Sequence, residues 1–243
     1  MNKGTVIKTT IASAVLATSL FAGVSTYASN QKSSQQQVTH VTKQKESFTI
    51  IRSKWNKSYY GATVKASYPQ LKDIKNVKVE SKINELFLKN AKLLHEQAKK
   101  DSKGLKKAEK VKNTYTSDYK VKHNKNDILS VAFTNYSYTG GAHGMTDQIA
   151  YTINMKTGKQ LTLKDAAKGD SNYKEIINKV IKKQIKERKI DLIEPFKSIS
   201  KNQKFYLQGD QIVVYFDLYE YTPYAAGIPE FKIPLTAFTK PNK

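Results

Sequence analysis

The chain has 243 residues, no cysteine and a formal net charge of +22 at pH 7. That length suits one large domain or two closely packed small ones and can bury a core without staples, and the lack of cysteine excludes disulfide frameworks, thiol nucleophiles and thiolate metal sites. Nearly all the positive charge is lysine, with Arg52 and Arg188 the only arginines, which suits diffuse attraction to polyanions rather than bidentate recognition.

Residues 1–28 read as a secretory signal. Lys3 and Lys8 supply the positive start, Ile11 to Val24 is uncharged and mostly apolar or small, and Thr26-Tyr27-Ala28 presents small residues to a signal peptidase, so cleavage is expected after Ala28. Spanning a bilayer takes roughly 20 predominantly apolar residues, and this run is shorter and interrupted by Ser and Thr. No transmembrane segment is therefore expected after cleavage, and a secreted, wall-associated location follows. Export removes intracellular nucleic acid from the expected partners and leaves anionic membrane and wall polymers. Residues 29–46, rich in Gln, Ser and Thr, have almost nothing to bury and read as a polar spacer.

Order is expected from Phe48. Thr49, Ile50, Arg52 and Trp55 mark a first strand, and Ala62 to Tyr68 a second that stops before Pro69. From Val79 the period changes: Val79, Ile83, Leu86, Phe87, Asn90, Leu94 and Ala98 recur at three and four residues, an amphipathic helix with lysines on its other face. Lys99 to Lys112 is lysine-rich, and Lys99, Lys100, Lys103, Lys106, Lys107 and Lys110 are the candidate polyanion contacts. Thr114 to His123 and Ile128 to Tyr138 form a hairpin. Ile149 to Asn154 and Gln160 to Leu163 form another around Lys156-Thr157-Gly158. A second helix carries Tyr173, Ile176, Ile177, Val180, Ile181 and Ile185 on one side and Lys179, Lys182, Lys183, Lys186 and Arg188 on the other, with Asp170 or Ser171 as its cap. Lys204 to Leu207 and Gln211 to Tyr219 flank a Gln208-Gly209-Asp210 turn, and Glu230 to Ile233 is the last strand. Hairpins with two well-formed helices predict an α+β fold, mainly antiparallel sheets with two principal amphipathic helices packed on them. The division expected is 47–150 and 151–243, two parts packed as one unit.

Two stretches stand out chemically. Tyr138-Thr139-Gly140-Gly141-Ala142-His143-Gly144 has the wrong glycine spacing for a dinucleotide site and no Gly-x-Ser-x-Gly elbow, so its glycines serve backbone geometry. Tyr219-Glu220-Tyr221-Thr222-Pro223-Tyr224 opens a tyrosine-rich segment whose rings suit sugar faces or protein interfaces. The candidate binding residues are Tyr138, Gly140, Gly141, His143, Tyr219, Glu220, Tyr221 and Tyr224. No catalytic set and no metal or cofactor site is assigned. His143 has no histidine near it in sequence, and spacing alone does not bring Asp210, Asp217, Glu220 or Glu230 to the separation that paired glycosidase carboxylates require.

At these stretches the chain resembles the paired extracellular domains of unknown function found in lysozyme-sensing anti-sigma factors and in a peptidoglycan deacetylase of Gram-positive bacteria. The resemblance runs over about 48–238. It is carried by Tyr68-Pro69-Gln70-Leu71, Ile83-Asn84, Ile128 to Val131, Tyr136 to Gly144, Tyr151 through Lys156-Thr157-Gly158-Lys159 to Asp165, and Tyr219 to Pro234. It implies a compact α+β module outside the cell that binds lysozyme in the sensors and accompanies a separate catalytic domain in the deacetylase. The expected function is a non-catalytic envelope module binding anionic wall polymer or peptidoglycan. The alternatives are a module binding lysozyme or another wall hydrolase, and an enzyme acting on peptidoglycan. Common animal lysozymes are basic, so a strongly positive chain repels them at long range and would need a local acidic patch to bind them.

Overall fold

In a computed structural model, residues 48–104 and 112–238 are described; the expected signal and spacer, with Lys106, Lys107 and Lys110, lie outside them. The chain opens with a hairpin of β1 (Thr49–Tyr59) and β2 (Ala62–Lys72). β2 does not stop before Pro69 but runs through it. Its pairing with the next strand ends at Ala66, and N–H groups two residues apart point to the same edge, so Pro69 and Leu71 both face past that pairing. The Leu71 N–H is received by the Asn84 side chain at 2.7 Å, and the proline has none to satisfy.

The long helix α1 (Val77–Gly104) buries Val79, Ile83, Phe87, Ala91, Leu94 and Ala98 along one stripe, the helical period of the sequence. It returns the chain so that β3 (Asn113–Lys125) lies parallel to β2, a pairing that needs such a crossover. β4 (Ile128–Tyr138), β5 (Met145–Asn154) and the two-residue β6 (Lys159–Gln160) follow antiparallel, giving one six-stranded sheet in chain order. Leu129, Val131, Phe133 and Ile153 meet Ile83 and Phe87 of α1 in the core beneath the large sheet. The 150/151 division falls inside β5.

Leu163 is not in a strand. Thr162 and Asp165 form a reciprocal capping box, Asp165 N–H to Thr162 Oγ1 at 3.1 Å and Thr162 N–H to Asp165 Oδ2 at 2.9 Å, which starts the short helix α2 (Leu163–Ala166). The helix α3 (Tyr173–Glu187) takes Asn172 at its N-cap position without a side-chain cap. Asp170 braces the approach instead by accepting from Asn172 N–H at 2.8 Å.

A three-stranded sheet of β7 (Phe205–Gln208), β8 (Gln211–Tyr215) and β9 (Glu230–Pro234) completes the fold. Ile212, Val214 and Phe216 pack with Ile177 and Ile181 of α3, while Tyr206, Val213 and Tyr215 on the opposite face pack beside Ala150 of the large sheet. Both faces of β8 are thus buried. β8 ends at Tyr215 rather than Tyr219 because its partners run out there: β7 starts at Phe205 opposite Val214, and β9 at Glu230 opposite Tyr215. The architecture is α+β with antiparallel pairing throughout except β2–β3, and with two principal helices, as the periodicity predicts.

Candidate functional site

The turn from β4 to β5 is built to hold one histidine. Gly140 and Gly141 sit at φ of 103° and 91°, a region that side chains resist, and the Tyr138 hydroxyl donates to the Gly141 carbonyl at 2.9 Å. Gly144 has a different reason to be glycine. A Cβ there would lie 2.5 Å from the Ser137 carbonyl oxygen and on top of the Tyr136 ring. Between them, His143 is exposed and its Nδ1 is 3.0 Å from the Gly144 carbonyl. A carbonyl only accepts, so Nδ1 carries the proton and Nε2 is left as an acceptor.

The segment after β8 arrives at the same place. Asp217 N–H donates to the Glu220 carboxylate at 2.9 Å and Glu220 N–H to the Asp217 carbonyl at 3.1 Å, a tight turn that places Tyr219 at a φ of 64° with 46% of its surface exposed. A single 3-10 turn over Tyr224–Ala226 follows, and the Tyr224 hydroxyl donates to the Gly144 carbonyl at 3.0 Å. The Tyr224 ring stacks on the His143 imidazole with centroids 4.0 Å apart and planes at 22°, and Tyr219 lies 5.8 Å from Tyr224 with its hydroxyl 3.4 Å from His143 Nε2. The two distinctive stretches therefore meet in one surface of three rings.

The segments that carry these rings also carry acids, Asp147 after His143 and Asp217 and Glu220 beside Tyr219. Lys204 Nζ holds Asp217 at 2.6 and 2.7 Å and lies 3.6 Å from Asp147. Burial pushes the Asp147 carboxyl up, against the pull of Lys204. Burial lowers the Lys204 ammonium, but its hydrogen bond to Asp217 and the two carboxylate charges outweigh that and raise it. Two acids thus share one lysine, and Glu220, three residues past Asp217, is exposed with its carboxylate on the Asp217 N–H.

Tyr138, Gly140, Gly141, His143, Tyr219, Glu220 and Tyr224 belong to this surface or brace it. Tyr221 does not: it packs edge-on against Phe196 and Phe216 in the small-sheet core. Lys99, Lys100 and Lys103 lie exposed in the last turns of α1 and make no contact with these rings. Of the other candidate acids, Asp210 sits in the β7–β8 turn and Glu230 is turned inward, accepting from Tyr206 at 2.9 Å and Gln148 at 3.1 Å. Sequence reasoning missed Asp147 and Lys204. Asp147 stands just past the Gly140–Gly144 stretch, a proximity that flags it; nothing local marks Lys204.

The fold and these motifs define a chain built from two adjoining family modules. Residues 53–146 match the family described as deacetylase PdaC, and residues 164–236 match a protein family of unknown function, DUF3298. The anti-sigma-V factor RsiV of Bacillus subtilis is 32% identical over 201 residues, covering 78% of this chain and 68% of RsiV; the chain belongs to its family. The peptidoglycan-N-acetylmuramic acid deacetylase PdaC of the same organism is 28% identical over 156 residues, 60% of this chain but only 32% of the deacetylase. Two solved structures share the fold: a DUF3298-family protein of Bacteroides fragilis (TM-score 0.55, 20% identity, 78% of this chain and 90% of that one) and one of Pseudomonas aeruginosa (TM-score 0.50, 18% identity, 79% and 92%).

Proposed function

We propose that this chain is an extracellular binding module of the cell envelope whose His143–Tyr219–Tyr224 surface seats a protein partner, a basic wall hydrolase of the lysozyme type. The observation that supports this most is the convergence of the two distinctive stretches on exposed rings. Tyr224 and His143 are both tied to the Gly144 carbonyl, so they are ordered before any partner arrives and lose little freedom on binding. Tyrosine is among the residues on which binding energy concentrates. Asp147, Asp217 and Glu220 against Lys204 also give a locally acidic contact in a chain of net charge +22, the patch that a basic partner requires. Kinship with an anti-sigma factor, and with a deacetylase named for peptidoglycan, fits an envelope setting.

Calorimetry of the protein from Ser29 onward with lysozyme at moderate salt tests the reading. Tyr224→Ala and Tyr219→Ala should each weaken the complex by roughly tenfold or more, the size of a hot-spot truncation. Absence of heat and of any complex with the unaltered protein overturns it.

A second reading, retention on anionic wall polymer, is favoured by the lysines that stay exposed on both principal helices. It concerns other surfaces and does not compete with the first.

A further inference from the structure

We propose that the outer face of α3 and the groove at its C-terminal end form a binding track for a linear polyanion carrying repeated phosphate groups. The inference rests on the wall-polymer reading and gives it a site, on α3 rather than on α1.

Lys179, Lys182 and Lys186 recur at three- and four-residue steps opposite the buried Ile177 and Ile181, and Lys189 follows just past the helix end at a φ of 49°; all four are exposed. At 1.5 Å per residue the three helical lysines extend over about 10 Å of one face. No acid occurs from Ile176 to Lys186. Among the described residues none of the four has a carboxylate within ion-pair distance; Lys183, off the centre of the stripe, is paired with Glu187 at 3.7 Å. α1 differs: Glu80, Glu85, Glu96 and Asp101 interrupt its lysines. An unneutralised stripe keeps its field for a partner, whereas a mixed face spends it locally.

At the end of the stripe lies a groove of about 910 Å³ between α3 and the Pro223–Lys232 segment, with Arg188, Lys189 and Lys232 on its walls and Pro223, Ala226 and Ile228 among its apolar lining. Arg188 is held in place by donating to the Glu230 carbonyl at 2.8 Å and lying 5.4 Å over the Phe231 ring. Two acids share the groove, Asp191 on its wall and Glu230, whose carboxylate is turned toward Tyr206 and Gln148, so the three cations outnumber them by one. A helix C-terminus by itself repels anions, so the seat depends on these three cations. The arrangement joins a stripe that attracts any polyanion to a shaped end where one repeat is gripped.

The probe is end-labelled linear polyphosphate, titrated by fluorescence anisotropy across a salt series. Two triple variants change net charge equally: Lys182→Glu/Lys186→Glu/Lys189→Glu on α3, and Lys99→Glu/Lys100→Glu/Lys103→Glu on α1. Each lost phosphate contact should remove about 0.7–0.9 from the slope of log affinity against log salt. The α3 variant should therefore bind at least about tenfold more weakly with a slope reduced by about 2, and the α1 variant should stay within about threefold of the unaltered chain. Arg188→Gln, a single change, should also weaken binding. Equal losses in both triple variants would show an effect of net charge alone and overturn the track, as would no binding by the unaltered protein. Lysozyme affinity of the α3 variant should not fall, since fewer positive charges only ease the long-range repulsion of a basic partner, which separates a failure here from a failure of the hydrolase reading.

Discussion

Single residues in this protein are fixed for reasons that can be told apart. Gly141 is glycine because of its φ of 91°, with nothing within 4 Å of where a Cβ would stand. Gly144 is glycine because Tyr136 and the Ser137 carbonyl already occupy that space. Gly144→Ala must displace backbone, and overpacking of this kind costs typically about 1–3 kcal/mol. The displaced atoms are also those that orient His143 and Tyr224. The variant is therefore expected to lose partner affinity along with stability, checked by denaturant unfolding and calorimetry together; retained affinity would show that the loop does not position the rings. His95 makes a different argument. It is buried, stacked on Trp55 at 4.0 Å, with Nε2 donating to the Trp55 carbonyl at 3.0 Å and Nδ1 accepting from Tyr59 at 3.1 Å. Burial is the main cause holding its pKa below the ordinary 6.5. The folded state then prefers the neutral ring. Its contribution to stability is complete above pH 6.5 and is lost as pH falls from there toward the depressed folded value, because the unfolded chain binds the proton first. Urea unfolding between pH 7 and pH 5 should show stability falling with pH, and His95→Phe should flatten that slope whatever it does to the absolute level.

At the scale of elements, the period of the sequence and the pairing in space carry different information. Both principal helices and the hairpin β3–β4 are legible because apolar spacing alone determines which face is buried, and burial follows Val79–Ile83–Phe87 and Ile177–Ile181 as that spacing requires. Where reading failed, the competing signal was local and chemical or distant and geometric. Gln160 to Leu163 alternates like a strand, yet the Thr-x-x-Asp pattern at Thr162 and Asp165 turns the chain into a helix after two paired residues. Gln211 to Tyr219 is rich in strand-forming residues to its end, but a strand lasts only as long as its neighbours, and those are set by β7 and β9 rather than by β8 itself. The candidate site shows the same limit. Each stretch was distinctive on its own; their meeting depends on the Tyr224 hydroxyl reaching Gly144, 80 residues away, which no local pattern encodes. Tyr221 parts from Tyr219 and Tyr224 for a related reason, since the three tyrosines point in different directions and only the fold decides which one packs on Phe196 and Phe216.

At the scale of the whole molecule the question is whether the two sheets fold together. The small sheet does more than lie against the large one, because polar atoms that it buries are satisfied across the boundary. The Leu207 N–H donates to Ser130 Oγ at 3.1 Å, and Ser130 is 2.7 Å from the Thr152 hydroxyl, all within buried surroundings. Tyr215 donates to the Gln148 carbonyl at 3.2 Å, and Gln148 in turn donates to Glu230 at 3.1 Å. Separating the sheets exposes Val213 and Tyr215 and strands these groups, so neither half is expected to persist alone. Ser130→Ala removes one hydroxyl and leaves the Leu207 N–H buried without its acceptor, at a cost of about 1–3 kcal/mol. In a single cooperative unit that cost lowers the one transition seen by both near-ultraviolet circular dichroism and calorimetry, without splitting it. Two separated transitions, with only the one from 205–238 and α3 moved by the substitution, would instead make the halves independent modules that share a boundary. The ring surface of His143, Tyr219 and Tyr224 draws on both halves. A single transition would therefore tie partner binding to global stability, so that a saturating partner raises the midpoint of the whole chain and not of one half.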